Sequence, residues 1–198
     1  MKKLIVLLGL FILPLRLFAP SDWIVPLMML QKQQMEKYST DQLNAYLDSL
    51  AIPESGKPSK YPLKIKGIVY KSPYRIINYS TNAAGKWQLT PIARKEIRYK
   101  GTLQQFLNSP KLQKKCTIDL MKRIKIYIKY YIPNYQDYIG KIVNGVLITY
   151  SGMFGAAHIG GVGALKAFLT HGYNASDGNH SVKSYMQLFG GFNFGLLV

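Results

Sequence analysis

The stretch Ser109-Pro110-Lys111-Leu112-Gln113-Lys114-Lys115-Cys116-Thr117-Ile118-Asp119-Leu120-Met121-Lys122-Arg123-Ile124-Lys125-Ile126-Tyr127-Ile128-Lys129-Tyr130-Tyr131 decides the fold class. Serine followed by proline is a helix start, with the serine as cap and the proline in the first turn. Leu112, Cys116, Leu120, Ile124, Tyr127 and Tyr131 then recur at three or four residues, the period of a helix with one face in a core. Pro133 stops it. The lysines and arginine between these positions read as the solvated face.

Helical signals extend on both sides. Thr102 and Gln105 have capping-box spacing, which predicts a short helix over 103–108. Leu43, Tyr46, Leu47 and Leu50 share a face, so a helix is expected from Ser39 or Thr40 to about Ile52, where Pro53 follows. Another short helix starts after Thr90-Pro91. Ser151 is read as the cap of a helix through Ala157, broken at Gly160-Gly161 and resuming over 162–169. A last helix is expected over 181–189. Asn144-Gly145, between Ile142-Val143 and Val146-Leu147-Ile148, predicts a two-residue β-hairpin. Residues 57–73, with Pro58, Pro62, Gly67 and Pro73, read as a loop with at most a short strand, and 74–87 as irregular. The expected class is mainly α with one small hairpin.

The chain has 198 residues, 26 Lys and Arg, 9 Asp and Glu, and a formal net charge of +17. That length and an apolar share of 48% support one domain with a real core. The charge excess points to an anionic partner: nucleic acid, a membrane surface, or a bacterial envelope with its peptide carboxylates and acidic polymers. No basic arm, zinc finger, RNA-binding or helix-turn-helix signature is present, so nucleic acid is not expected. The single cysteine, Cys116, excludes an intrachain disulfide and reads as a buried thiol. The three histidines have no metal-ligand spacing, and there is no P-loop or GxSxG elbow, so no cofactor or metal is expected.

Met1-Lys2-Lys3 followed by an apolar run over 4–13 has the layout of a secretory signal. Arg16 and Pro20 make a poor cleavage site, and a second apolar run follows over 23–30. Residues 1–19 are therefore read as a signal peptide or an uncleaved signal anchor, residues 20–40 as a lead-in, and 41–198 as the functional domain. No cysteine lies near this segment, which excludes a lipoprotein anchor.

Three separated stretches carry chemistry: Glu54-Ser55-Gly56; Ala84-Gly85-Lys86-Trp87-Gln88-Leu89-Thr90-Pro91; and Ala156-Ala157-His158-Ile159-Gly160-Gly161-Val162-Gly163-Ala164. In order and setting they resemble the lysozyme-like lytic transglycosylases, which cleave the glycan strands of bacterial peptidoglycan. The second resembles the Gly-Leu-Met-Gln-Ile-x-Pro segment of that family. The third resembles its Ala-Ala-Tyr-Asn-Ala-Gly-Pro-Gly-Ala-Val, with His158 where the family has a cleft tyrosine. The closing Ser181-x-x-x-Tyr185-Met186-x-x-Phe189 adds to the likeness, which covers roughly residues 41–194. Pro53 before Glu54, and the long interval from Glu54 to Gly85, depart from the family pattern.

The resemblance implies a lysozyme-like helical domain in which Glu54 is the general acid. Gln88 orients the substrate or the acid, and Gly85, Gly160 and Gly161 let backbone approach a sugar. Trp87 fits either a sugar-stacking platform or a core position. His158 fits either a hydrogen bond in the cleft or a structural role. Glycoside cleavage needs a carboxylic acid that keeps its proton near neutral pH; apolar neighbours favour that form and nearby cations oppose it, so the site is expected to exclude the chain's many lysines. No second carboxylate has an evident role, although Asp48 and Asp177 stay open. One acid agrees with a lytic transglycosylase, where an acceptor within the substrate replaces water. The expected setting is an exported monomer, periplasmic, in the cell envelope or extracellular, with anchoring to the inner membrane if the N-terminal segment stays uncleaved. Its partners are then peptidoglycan strands and anionic envelope polymers. A noncatalytic wall-binding or envelope-assembly protein on the same fold is the alternative, and a basic membrane-associated protein is a third reading.

Overall fold

The computed structural model describes residues 21–56, 60–176 and 178–194. The signal or anchor segment, residues 1–19, and Asp177 lie outside these. The described chain is mainly helical, with three two-stranded antiparallel hairpins where the sequence pattern predicts one.

Helix α1, Ser21–Ser55, is longer at both ends than its periodicity predicts. The expected lead-in over 20–40 is helix from Ser21 onward. Thr40 caps nothing. Its hydroxyl donates to the Glu36 carbonyl at 2.8 Å, four residues back, and so is satisfied inside the helix. Pro53 does not end the helix either. Proline removes one N–H, but the last turn is held by Ser55 Oγ donating to the Ala51 carbonyl (3.1 Å) and Gly56 N donating to Ile52 O (2.9 Å). Gly56, at φ +86°, is the left-handed residue that closes it. Tyr46, Leu47 and Leu50 are fully buried, each stabilising by about 1.5–3 kcal/mol.

Residues expected to be loop form two hairpins. β1 (Leu63–Ile65) pairs with β2 (Ile68–Tyr70) through Lys66-Gly67, both at positive φ as a type I′ turn requires. β3 (Ile77–Asn78) pairs with β4 (Ala83–Ala84). Two short helices follow, α2 (Pro91–Glu96, capped by Thr90) and α3 (Leu103–Asn108), the latter with the expected Thr102/Gln105 capping box.

Helix α4, Pro110–Tyr131, has the expected Ser109 cap and proline start. Its buried stripe is rotated from the pattern first read. Gln113, Cys116, Thr117, Met121, Ile124 and Ile128 are buried, while Leu120 and Tyr127 are half-buried and Tyr131 is exposed. The polar Gln113 and Thr117 hid this register from a hydrophobicity reading. Cys116 is a core thiol, 4% exposed, and burial pushes its pKa up, with Asp119 adding to the effect.

The Asn144-Gly145 turn joins β5 (Ile142–Val143) to β6 (Val146–Leu147) as expected. Helix α5 spans Tyr150–His171 and is capped by Thr149, whose hydroxyl accepts from Gly152 N at 3.1 Å, not by Ser151. It is long and apolar enough to cross a membrane, but 56% of that stretch is buried inside the fold. Gly161, at φ +73°, kinks it where the glycine pair predicts. Helix α6, Val182–Phe189, lies against α5. A Cβ on Gly155 would meet Phe189 Cδ2 at 2.5 Å, so only glycine permits this approach. Aromatic rings then tie α1, α5 and α6 together. Tyr185 meets Phe189 (5.2 Å), Phe189 meets Tyr46 (5.3 Å), Tyr46 meets Phe194 (4.7 Å) and Phe194 meets Phe154 (5.8 Å).

Candidate functional site

Glu54 lies in the last turn of α1, where that helix opens onto a cleft of about 510 Å³. One wall is the end of α1, Ile52 to Gly56. The facing wall is the β1–β2 hairpin, which presents Leu63, Ile65 and Tyr70 on one face, as strand alternation dictates. β3 and the turn after it add Asn78, Tyr79 and Ser80, and Gln88 completes the lining. Tyr61 anchors the hairpin base by donating to the Ser55 carbonyl.

The carboxylate is held from helices far away in sequence. Tyr185 of α6 donates its hydroxyl to Glu54 Oε1 at 2.9 Å. His158 of α5 places Nε2 3.7 Å from the same oxygen, too long for a direct hydrogen bond but close enough for attraction when the imidazole is protonated. The Glu54 and His158 side chains are only 18% and 10% exposed. Behind them, burial holds the Tyr46 phenol far above its usual pKa, and the Glu54 carboxylate adds to the effect. The packing of α6 on α5 thus fixes what faces the end of α1. Tyr185→Phe keeps the ring and removes the donor. Any activity that depends on the aim of the Glu54 carboxyl is expected to fall about tenfold, the order of one hydrogen bond, with the melting temperature nearly unchanged. Steady-state rates and a thermal melt on the variant check this.

The Gly85 stretch forms a tight loop whose ends pair. Ala84 N donates to Leu89 O at 3.1 Å and Leu89 N to Ala84 O at 3.0 Å. Gly85 stands at φ +78°, and a Cβ there would meet Gln113 Oε1 at 2.3 Å, so this position needs glycine for both reasons. Gln113, 0% exposed, is the clamp beneath. Its Oε1 accepts from Lys86 N (2.9 Å), and its Nε2 donates to the carbonyls of Tyr74 (2.9 Å) and Phe106 (3.0 Å). Two further ties run to α1: Trp87 Nε1 donates to Leu47 O at 2.7 Å, and Lys86 pairs with Asp48 at 2.7 Å. The result is that Gln88, at φ +45° with Nε2 donating to Gly85 O (2.8 Å), reaches Glu54's cleft.

Of the residues singled out from sequence, Glu54 and Gln88 line one cleft, and His158 stands 3.7 Å from Glu54 without being among the lining residues. The others correct the reading. Trp87 is 3% exposed and serves the core and the α1 tie, not sugar stacking. Gly85 is buried on Gln113 and offers no backbone to the cleft. Gly160 gives room to α6, since a Cβ there would meet Val182 Cγ2 at 2.9 Å, and Gly161 forms the kink of α5; neither lines the cleft. Asp48 is engaged by Lys86 and is not among the lining residues either. Tyr185, Gln113 and the hairpin wall were not singled out as site residues. For Tyr185 a signal existed in the closing Ser181-x-x-x-Tyr185 pattern. For the wall it was the Lys66-Gly67 dipeptide between apolar residues. Gln113 had no local signal. Among the described residues no group of three His, Cys, Asp or Glu side chains is arranged to hold a metal ion.

Comparison of the chain with protein-family models, with curated proteins and with solved structures gives no match in any of the three.

Proposed function

We propose that this chain is an exported, lysozyme-like enzyme that cleaves the glycan strands of bacterial peptidoglycan as a lytic transglycosylase, with Glu54 as its general acid. The observation that carries the reading is a single carboxylate, Glu54, lining a cleft of about 510 Å³ between helices and a small hairpin, with its oxygen fixed by Tyr185 and faced by His158. Gln88 enters the same cleft from the segment that resembles the family's glutamine motif.

In this reading the Glu54 carboxylic acid gives its proton to the glycosidic oxygen as the C1–O bond breaks. The sugar's own 6-hydroxyl then bonds to C1 and returns its proton to the Glu54 carboxylate, which restores the acid. Tyr185 keeps the carboxyl aimed in both steps. Gln88 supplies amide hydrogen-bonding groups for the sugar. A two-carboxylate hydrolase needs a second acid across the scissile bond, about 5–10 Å from the first, and among the described residues that line the cleft Glu54 has no such companion.

Digestion of purified sacculi with mass analysis of the soluble products tests the chemistry. Muropeptides ending in 1,6-anhydro-muramic acid are the expected products. Products with free reducing ends would mean that water is the acceptor, and the transglycosylase assignment would be wrong.

A further inference from the structure

Among the described residues the charged groups lining the cleft are Glu54, Lys60 and Lys66, so lysines are not excluded from it as the sequence reading expects. Both lysines belong to the hairpin side, Lys60 just ahead of β1 and Lys66 at its turn, and both are exposed. Glu54 takes its contacts from Tyr185 and His158. Among the described residues neither lysine forms an ion pair, whereas Lys86 and Lys115 do. The cleft is therefore divided. The α1 wall carries the acid and the hairpin wall carries two cations with no carboxylate to meet. A neutral glycan offers those cations hydroxyl oxygens but no counter-charge. A glycan substituted with acidic groups does, because its charges project from the sugar chain toward the walls.

Resting on the reading of Glu54 as a peptidoglycan-cleaving acid, we infer that Lys60 and Lys66 select strands whose peptide stems bear free carboxylates. The hairpin wall is then a specificity element that reads the stem's charge while the α1 wall acts on the sugar. Charge pairs at exposed positions are individually weak and screened by salt, so the selection appears as a ratio between substrates and mainly in KM.

The test uses the full chain and two preparations of sacculi. Both are first N-acetylated on free amines, and one is then amidated on its stem carboxylates. Wild type is expected to cleave the carboxylate form about three- to tenfold faster, the order of two exposed pairs, with the ratio shrinking at high salt. Lys60→Gln/Lys66→Gln should bring the ratio close to one, and Lys60→Arg/Lys66→Arg should retain it. Lys122→Gln/Lys129→Gln, which removes the same charge from exposed positions of α4, should leave the ratio as in wild type. A wild-type ratio of one overturns the inference while leaving the glycosidase reading intact. So does an equal fall in the ratio with the α4 pair, which would assign the preference to overall charge. If wild type cleaves neither preparation, the glycosidase reading falls and the inference with it.

Discussion

Glu54→Gln is expected to lower glycan cleavage by at least about a hundredfold while leaving the fold in place. Glutamine matches glutamate in size and still accepts the Tyr185 hydroxyl, which donates to Oε1 at 2.9 Å. What it lacks is a proton to deliver. General acid catalysis contributes about 10²- to 10⁴-fold, and among the described residues lining the cleft there is no other carboxyl to take over. Stability should change by less than about 1 kcal/mol, because the substitution leaves no buried polar group without a partner. The pair of measurements matters: a collapse in rate with an unchanged melt separates a chemical role from a structural one. Gln88→Ala and His158→Ala should lose less, since they position groups and do not carry the proton. Wild-type turnover in Glu54→Gln would remove Glu54 from the chemistry.

The largest effect on stability is expected at Gln113. Replacement by methionine keeps the length and roughly the volume, so little cavity forms. It leaves Lys86 N and the Tyr74 carbonyl without the partners they each have at 2.9 Å, while the Phe106 carbonyl loses its bond at 3.0 Å but keeps the one from Ser109 N at 3.2 Å. A buried polar group stripped of its partner costs about 1–3 kcal/mol. With some rescue by water, a total near 3 kcal/mol is expected, or a fall in melting temperature of about 6–12 °C for a chain of this size. Activity should fall too, because the loop that carries Gln88 into the cleft rests on this side chain. Calorimetry on Gln113→Met checks the first effect. A melt within about 2 °C of wild type would show that the loop is held by its other ties without Gln113.

These two residues also show what the sequence makes legible. Glu54 and Gln88 sit in short stretches that carry the reading only when taken together, and the structure brings both to one cleft. The caps at Thr102 and Ser109, and the Asn144-Gly145 turn, act over three or four residues, so they could be read locally. Gln113 could not. Its role depends on a backbone loop 27 residues away, and as a polar residue it shifts the apparent apolar stripe of α4 away from the true one. Trp87 was open between two uses that only packing separates; the Leu47 carbonyl decided it. Pro53 misled because proline's missing bond is tolerated one turn from a helix end, where the neighbouring bonds persist. The hairpin wall was hidden by its prolines and lysines, which read as loop, although Lys66-Gly67 provides the turn.

The most direct measurement of the central claim is release of soluble muropeptide from purified sacculi by the wild-type chain, followed as loss of turbidity. Steady release that stops with Glu54→Gln is the expected result. Sedimentation of the chain with sacculi, with no soluble product from wild type or variant, would contradict it and leave a wall-binding protein on the same fold.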